Sequence, residues 1–193
     1  KRDLTEYGMC IVRDAMEPQL VQRLREKLDR QAEAEARAFN RRPRGKNVVG
    51  QLPNKGAVFL ELLDHPVTDA LAGYMLGRSF LLSSETGHFF RGPGPEPQIL
   101  HRDQGFVPAT ADFPAVCNMF WLLDDFEPAS GSTHVVPGSH RWPADALVRP
   151  PPREMVQALT APAGAVFAWD GRLWHSTGSN VNGQPRRCID TNF

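Results

Sequence analysis

A histidine and an aspartate stand two residues apart at His101 and Asp103, in the stretch PQILHRDQGF. In an extended strand, residues i and i+2 point to the same face, so the imidazole and the carboxylate would lie side by side. Both groups are common metal ligands, and a third ligand would complete a metal site. The pair alone is a weak signal, because a surface histidine beside an aspartate is common and often inert.

His175 is the best candidate for the third ligand. It ends the run GAVFAWDGRLWH, where an apolar strand and a turn at DGR place an imidazole near the end of a second strand. Two histidines and one carboxylate on neighbouring strands form a facial triad, which suits ferrous iron because three coordination positions stay open. The alternative is a set of unrelated polar residues on a β domain. The other histidines are expected to be structural: His65 at a helix start, His140 in the turn PGSH, and His88 and His134 on strands.

Two adjacent arginines, Arg186 and Arg187, begin the last strand-like run, RRCIDTNF. Adjacent strand residues face opposite ways, so only one of them can point inward. An inward arginine beside such a metal needs an anion, and the distal carboxylate of 2-oxoglutarate fits its planar guanidinium. A salt bridge to a nearby acidic residue is the alternative.

The elements that position these residues are helical first and strand-like later. Apolar residues at four-residue spacing over 16–39 predict an amphipathic helix, with Pro18 near its start. The stretch DHPVTDALAGYML predicts a second helix, with Asp64 as its cap and Pro66 in its first turn. Between them lies the basic stretch NRRPRGKN, read as a solvated loop or as a contact for a phosphate or coenzyme tail.

From residue 80 onward, short strand-like runs alternate with Gly and Pro, which predicts an antiparallel sandwich or barrel. A double-stranded β-helix, the cupin-like jelly roll, fits best. We therefore expect a mainly β fold with flanking helices in one domain over 1–193, divided into a helical part (1–79) and a jelly-roll core (80–193). RGPGPEP precedes a strand and does not resemble a phosphate cradle. The chain stops inside a strand-like run, so a carboxy-terminal extension is compatible with the pattern.

The bulk properties exclude several classes of protein. At 193 residues and 21.5 kDa the chain can bury a core without disulfides. Acidic and basic residues balance at 22 each, so no overall field favours nucleic acid or an anionic membrane. The three cysteines include no CxxC pair, and we find neither an apolar run of about 20 residues nor a signal-peptide core. A soluble, cytoplasmic protein is expected.

Taken in order, these motifs resemble the phytanoyl-CoA dioxygenase family of iron(II)- and 2-oxoglutarate-dependent oxygenases. The likeness runs from EYGMCIVRDAMEP through LHRDQGF, FWLLDDFEPASGSTHVVPGSH and GAVFAWDGRLWHSTGSN to RRCIDTNF, and so covers nearly the whole chain. PGSH alone is a modest signal. The ordered set of His-x-Asp, PGSH, Trp-His and an arginine eleven residues later is a strong one.

The resemblance implies a role for each matching residue. The family's metal ligands fall on His101, Asp103 and His175, and its 2-oxoglutarate arginine falls on Arg186. Members often add a glutamine before His-x-Asp and a hydroxyl residue before PGSH, which correspond here to Gln98 and Thr133. Thr177, two residues after His175, is a weaker candidate for the hydroxyl residue. The implied cofactors are Fe(II), 2-oxoglutarate and O2, with ascorbate as a supporting reductant.

The implied reaction is the hydroxylation of a small, lipophilic substrate such as a natural-product intermediate, with release of succinate and CO2. Related halogenases have a small residue at the position of Asp103, so halogenation is disfavoured. Five residues are candidates for the substrate pocket: Phe89, Phe106, Asn118, Met119 and Trp121. The rival interpretation is a non-oxidising metal cupin, an isomerase or a binding module, which would have no use for Arg186. The expected partner is a small molecule, without nucleic acid or membrane, and a homodimer is the oligomeric state considered.

Overall fold

The computed structural model describes residues 1–39, 45–91, 98–108, 110–143, 146 and 149–193. These form four α-helices: α1 (Arg2–Tyr7), α2 (Pro18–Ala38), α3 (Ala57–Leu63) and α4 (Pro66–Leu76). They also form nine strands: β1 (Met9–Val12), β2 (Gly45–Val49), β3 (Ser84–Arg91), β4 (Cys117–Leu122), β5 (Thr133–Val135), β6 (Gln157–Ala158), β7 (Val166–Asp170), β8 (His175–Thr177) and β9 (Arg186–Asn192).

The strands form two antiparallel sheets. The larger sheet has the order β1-β7-β4-β9-β3-β2, and the smaller has the order β6-β5-β8. The segment that carries His101 joins the smaller sheet through an isolated bridge to His175. The predicted mainly β fold with flanking helices is therefore confirmed.

The helices cover the outer face of the larger sheet. Leu24 and Leu28 of α2 are fully buried in a cluster with apolar side chains of α3, α4 and alternate positions of the sheet strands. The apolar stripe predicted for α2 thus becomes one side of the main core. Gly87 of β3 permits the close approach of α2, because a β-carbon there would collide with a methyl group of Leu28.

Two predictions about the amino-terminal part are corrected by the structure. Residues 1–79 are not only helical, because β1 and β2 lie at the two edges of the larger sheet. Short strands of four or five residues carry too few positions for their alternation to stand out beside a long helix. The predicted cap of α4 is also wrong: Asp64 ends α3, and His65 caps α4 by accepting the Val67 amide at its Nδ1 (3.2 Å).

Two further expectations concern the basic stretch NRRPRGKN and the absence of a membrane-spanning segment. Residues 40–44 of the basic stretch lie outside the described residues, while Gly45 begins β2 rather than continuing a loop. Within the described ranges, none of the helices combines the length and apolar character needed to cross a bilayer.

Glu85 is an ionisable group buried beneath the helices. It is 1% exposed on β3, directly opposite Thr191 of β9. Burial raises the pKa of its carboxyl to about 8, and the neighbouring Thr191 hydroxyl offsets only a small part of this rise. The carboxyl is therefore protonated in the folded protein at neutral pH, where it would be ionised in an unfolded chain.

Replacing Glu85 by glutamine is expected to remove a pH-dependent loss of stability. Between its ordinary pKa of 4.5 and about 8, the folded protein holds a proton that the unfolded chain has released. The free energy of unfolding of the wild type therefore falls as the pH rises through this window. One pKa unit corresponds to about 1.4 kcal/mol. Relative to the wild type, the free energy of unfolding of the variant should therefore rise by a few kcal/mol between pH 5 and pH 8.

Urea unfolding of both proteins at the two pH values measures this gain. Glu33→Gln, at an exposed position on α2, is the matched control and should follow the wild type. Parallel pH dependence of the wild type and Glu85→Gln would show that Glu85 is ionised in the folded state.

Candidate active site

The segment with the His-x-Asp motif is held against β8 by main-chain hydrogen bonds. His101 and His175 exchange both amide-to-carbonyl bonds at 2.9 Å, and the Asp103 amide donates to the Gly171 carbonyl at 3.0 Å. Arg102, between the two motif residues, faces the other way and lies 5.4 Å over the Trp174 ring. The strand expected for the motif is reduced to an isolated bridge at His101, with a bend at Asp103, yet both side chains lie beside His175.

His101, Asp103 and His175 come together as a three-ligand cluster. One ligand atom from each lies within 4.8 Å of the others. The carboxylate of Asp103 lies 3.5 Å from His101 Nε2 and 3.2 Å from His175 Nε2. Two imidazole nitrogens and one carboxylate oxygen at this spacing form the donor set of a 2-His-1-carboxylate triad, which fits ferrous iron with open coordination positions.

Main-chain carbonyls orient both imidazoles. His101 Nδ1 lies 2.9 Å from the Ile99 carbonyl, and His175 Nδ1 lies 3.0 Å from the Leu173 carbonyl. A carbonyl oxygen only accepts, so each Nδ1 carries a proton, and the neutral, metal-binding form of each imidazole has its lone pair on Nε2. Both lone pairs are therefore directed at the place where a metal would lie, as is usual for metal-binding histidines.

Asp103 is held in its ionised form. Burial alone would raise the pKa of its carboxyl, but the hydrogen bond to His175 and the positive charges of His175 and His101 outweigh burial and hold the pKa below its usual value. Asn118 on β4 also donates its side-chain N–H to Asp103 Oδ2 at 2.7 Å. An ionised, oriented carboxylate is the form that binds a metal cation.

The PGSH turn supports the third ligand from behind. The Ser139 hydroxyl accepts the main-chain N–H of Trp174 at 2.9 Å, and the Val136 amide donates to the Trp174 carbonyl at 2.9 Å. These bonds fix the residue that precedes His175 at the start of β8. His140 itself lies with Nε2 3.3 Å from the Thr5 carbonyl, away from the triad.

A cavity of about 370 Å³ opens beside the triad. Five of the residues singled out from the sequence line it together with the triad: Gln98, Phe106, Asn118, Thr133 and Thr177. The Thr177 hydroxyl donates to the Gln98 side-chain carbonyl at 3.2 Å, which joins two of them across neighbouring segments. The buried Thr133 hydroxyl has no hydrogen-bond partner among the described residues.

Three residues predicted for the pocket lie elsewhere. Phe89, Met119 and Trp121 are fully buried in the core between the larger sheet and the helices. Their strand neighbours His88, Asn118 and Phe120 face the cavity instead. The prediction failed because β3 and β4 are covered on both faces, which removes the polar alternation that reveals the direction of a side chain.

Arg186 lies deep in the fold and has no acidic partner among the described residues. Its side chain is 2% exposed, and its guanidinium carbon lies 4.1 Å from the centre of the Phe90 ring and 4.6 Å from that of Phe126. Nη1 donates to the Gly131 carbonyl, and Nε makes no hydrogen bond to any described residue. Burial lowers the pKa of Arg186. A buried cation of this kind is complete only with an anion.

Gly131 supplies the carbonyl that Arg186 reaches, in a turn that only glycine fits. Its φ is 77°, and a β-carbon there would lie 2.7 Å from the Gly178 carbonyl oxygen. The turn places one hydrogen-bond acceptor on Nη1, while Nε has no partner among the described residues.

Arg187 faces the opposite side of β9 and is fully paired. It reaches Asp29 of α2 at 2.9 and 3.1 Å and Asp124 at 2.8 Å. Burial would lower the pKa of Arg187, but the two carboxylates outweigh it and raise the pKa. Arg187 therefore ties α2 to the larger sheet, while Arg186 is the arginine available to a ligand.

The sequence reasoning missed His88 and Asp190, which also line the cavity. His88 Nε2 lies 3.4 Å from Asp190 Oδ2, across β3 and β9. A histidine on a strand carries no sign of which face it occupies, so no signal in the sequence distinguished this one from a core or surface residue.

Comparison with known proteins agrees with this geometry. The family model of phytanoyl-CoA dioxygenase (PhyH) matches residues 4–188. Dioxygenase af480 of Aspergillus fumigatus is 36% identical over 150 residues, which cover 76% of this chain and 48% of that protein. Dioxygenase FUM3 of Gibberella moniliformis is 32% identical, over 73% of this chain and 50% of that protein. The chain thus spans about half the length of these curated relatives.

Solved structures share the fold. The non-heme alpha ketoglutarate dependent carbocyclase SnoK from nogalamycin biosynthesis matches with a TM-score of 0.81 at 18% identity, over 99% of this chain and 81% of that chain. HygX from Streptomyces hygroscopicus, solved with nickel and 2-oxoglutarate bound, matches with a TM-score of 0.77 at 17% identity, over 98% of this chain and 83% of that chain. The predicted jelly roll is confirmed, and with the match over residues 4–188 the chain belongs to the phytanoyl-CoA dioxygenase family.

Proposed function

We propose that the protein is an iron(II)- and 2-oxoglutarate-dependent dioxygenase that hydroxylates a small organic substrate. The main observation in support is the facial triad beside a cavity, together with the buried Arg186, which has no acidic partner among the described residues. In the overall reaction, substrate R–H, O2 and 2-oxoglutarate give R–OH, succinate and CO2. Bound ferrous iron would supply the activation of O2 and the coupled oxidation of the cosubstrate.

The residues of the chain bind and orient the reactants. His101, Asp103 and His175 would hold the metal, and Arg186 would pair with the distal carboxylate of 2-oxoglutarate. The hydroxyl and amide groups of the cavity wall, from Gln98, Thr133 and Thr177, are placed to hydrogen-bond the cosubstrate or to orient it.

The substrate is proposed to be a small, lipophilic molecule of the natural-product type. Four apolar side chains in the cavity wall support this: Phe106, Val116, Phe120 and Trp169. SnoK, which shares the fold, belongs to nogalamycin biosynthesis, and the curated relatives af480 and FUM3 are named dioxygenases. The proposed partner is this small molecule, without nucleic acid or membrane, in a cytoplasmic protein that is a candidate homodimer.

Two alternatives are less well supported by the site. A non-oxidising cupin would not need a buried, unpaired arginine at position 186. A halogenase needs space for a halide where Asp103 presents a carboxylate between the two histidines. The ionised form of Asp103 favours a third protein ligand at that position.

The purified protein with Fe(II), ascorbate, O2 and 2-oxoglutarate is expected to form succinate slowly, and faster with a suitable substrate. Succinate and CO2 should appear in equal amounts, because both come from one molecule of cosubstrate. The control is His175→Ala, which lacks one metal ligand. Succinate that never exceeds the level of this variant, over a panel of lipophilic and thioester compounds, would argue against an oxygenase.

A further inference from the structure

His88 and Asp190 form a polar pair on the inner wall of the larger sheet that no part of the proposed chemistry yet uses. Their side chains are 14% and 17% exposed, and both line the cavity of the triad. At 3.4 Å they are close enough to attract each other, yet His88 Nε2 makes no hydrogen bond to a described residue. The ring of Phe120 packs against the imidazole, with 5.9 Å between ring centres.

The strand register places this pair between the metal ligands and Arg186. Asn118, which bonds Asp103, lies opposite Asn192 near one end of β9. Arg186 lies at the other end of β9, opposite Phe90 of β3. Asp190 and His88 fall between these two levels, since His88 is paired with Cys188. All these side chains share the inner face of the sheet, because residues two apart on a strand point the same way.

Along β9, the direction from the metal ligands to Arg186 therefore runs past the pair. 2-Oxoglutarate carries two negative charges, and Asp190 in isolation would repel it. Asp190 on β9 faces His88, and the triad lines the same cavity, whereas Arg186 lies outside the cavity lining, toward the other end of β9. The imidazole of His88 can present a ring N–H to an anion bound in the cavity and lies between such an anion and the Asp190 carboxylate.

We infer that His88 donates a hydrogen bond to bound 2-oxoglutarate and that Asp190 is the positioning residue that holds its imidazole. This inference rests on the proposed function and assigns two further residues to its cosubstrate site. It makes a specific claim about coupling: without His88, the Asp190 carboxylate faces the dianion directly and repels it.

The test is calorimetric titration of 2-oxoglutarate into nickel-loaded protein, which reports binding without turnover. Four variants are compared with the wild type: His88→Leu, Asp190→Asn, the double variant and His134→Gln. His134 lies next to Thr133 on β5 but does not line the cavity, so it is a matched histidine control. Thermal melts of the nickel-loaded proteins establish that each variant is folded.

We expect His88→Leu to weaken 2-oxoglutarate binding by about tenfold or more, as for the loss of a hydrogen bond to a charged group. Asp190→Asn should weaken binding less than His88→Leu does, because it removes the group that holds the imidazole together with a charge that repels the dianion, and His134→Gln should stay within about threefold of the wild type. In the double variant, binding should recover by about threefold or more relative to His88→Leu, because the unpaired charge is gone.

The inference fails if His88→Leu binds 2-oxoglutarate like the wild type, or if adding Asp190→Asn gives no recovery. A double variant weaker than His88→Leu would also overturn it, because the two residues would then contribute independently. Failure of the proposed function is a different result: the nickel-loaded wild type itself would show no binding of 2-oxoglutarate.

Discussion

Asp103→Ala is expected to abolish hydroxylation and to weaken iron binding by more than about 100-fold, the upper range for residues that only orient a ligand. The reason is the position of its carboxylate, 3.5 Å from His101 Nε2 and 3.2 Å from His175 Nε2, with its pKa held low. Removing it deletes one of three metal donors and the only negative charge of the triad. An anaerobic titration with Fe(II) measures the affinity, and succinate formation measures turnover.

Two further variants test whether Asp103 is a metal ligand or only a neighbour of the metal site. Asp103→Glu should retain part of the metal affinity with displaced geometry, because a longer carboxylate still offers an oxygen. Asn118→Ala should cost only about 10- to 100-fold, since Asn118 orients Asp103 without touching the metal. Thermal melts exclude loss of the fold. Iron affinity and turnover near the wild type in Asp103→Ala would remove the aspartate from the site.

The second large effect is expected at the adjacent arginines, Arg186 and Arg187. Methionine substitutions at these two positions should have opposite effects on cosubstrate binding and on stability. Arg186→Met should weaken 2-oxoglutarate binding by about 30-fold or more, which corresponds to a desolvated charge pair of at least about 2 kcal/mol. The same change should raise the melting temperature of the protein without cosubstrate. Arg186 is a buried cation with a lowered pKa and no carboxylate partner, so an apolar side chain between Phe90 and Phe126 is better tolerated there.

Arg187→Met should do the reverse. It leaves Asp29 and Asp124 without their shared partner, which should cost about 1 to 3 kcal/mol of folding free energy at this partly buried site. Binding of 2-oxoglutarate should change little. Thermal melts and titrations of the two variants side by side measure both quantities. Equal effects on binding, or a loss of stability confined to Arg186→Met, would contradict the assignment of the two faces.

Local geometry was enough to anticipate the centre of the site. The two-residue spacing of His101 and Asp103 predicts a common face, and the structure places both side chains beside His175. The adjacency of Arg186 and Arg187 predicts opposite faces, and the structure places one between aromatic rings and the other on two carboxylates. Both inferences depend only on the alternation of a strand, which holds wherever the backbone is extended.

Where both faces of a strand are covered, the sequence does not predict which side chains face the cavity. All but one residue of β4 are buried, so hydrophobicity does not distinguish Phe120, which faces the cavity, from Met119 and Trp121, which face the helices. His88 and Asp190 were missed for a related reason. Their meeting depends on the pairing of β3 with β9, strands about 100 residues apart along the chain, and that pairing is a long-range property.

The central place of β9 in the larger sheet has a consequence for how the protein is made. β9 lies between β3 and β4, and both of these strands are synthesised long before it. Until residues 186–192 leave the ribosome, β3 and β4 each present an unpaired edge, and the two halves of the sheet have no strand to join them. Such non-local pairing is slow, and open edges favour association between chains. Because Arg186 arrives with β9, the arginine proposed to pair with 2-oxoglutarate is placed only when β9 joins the two halves of the sheet.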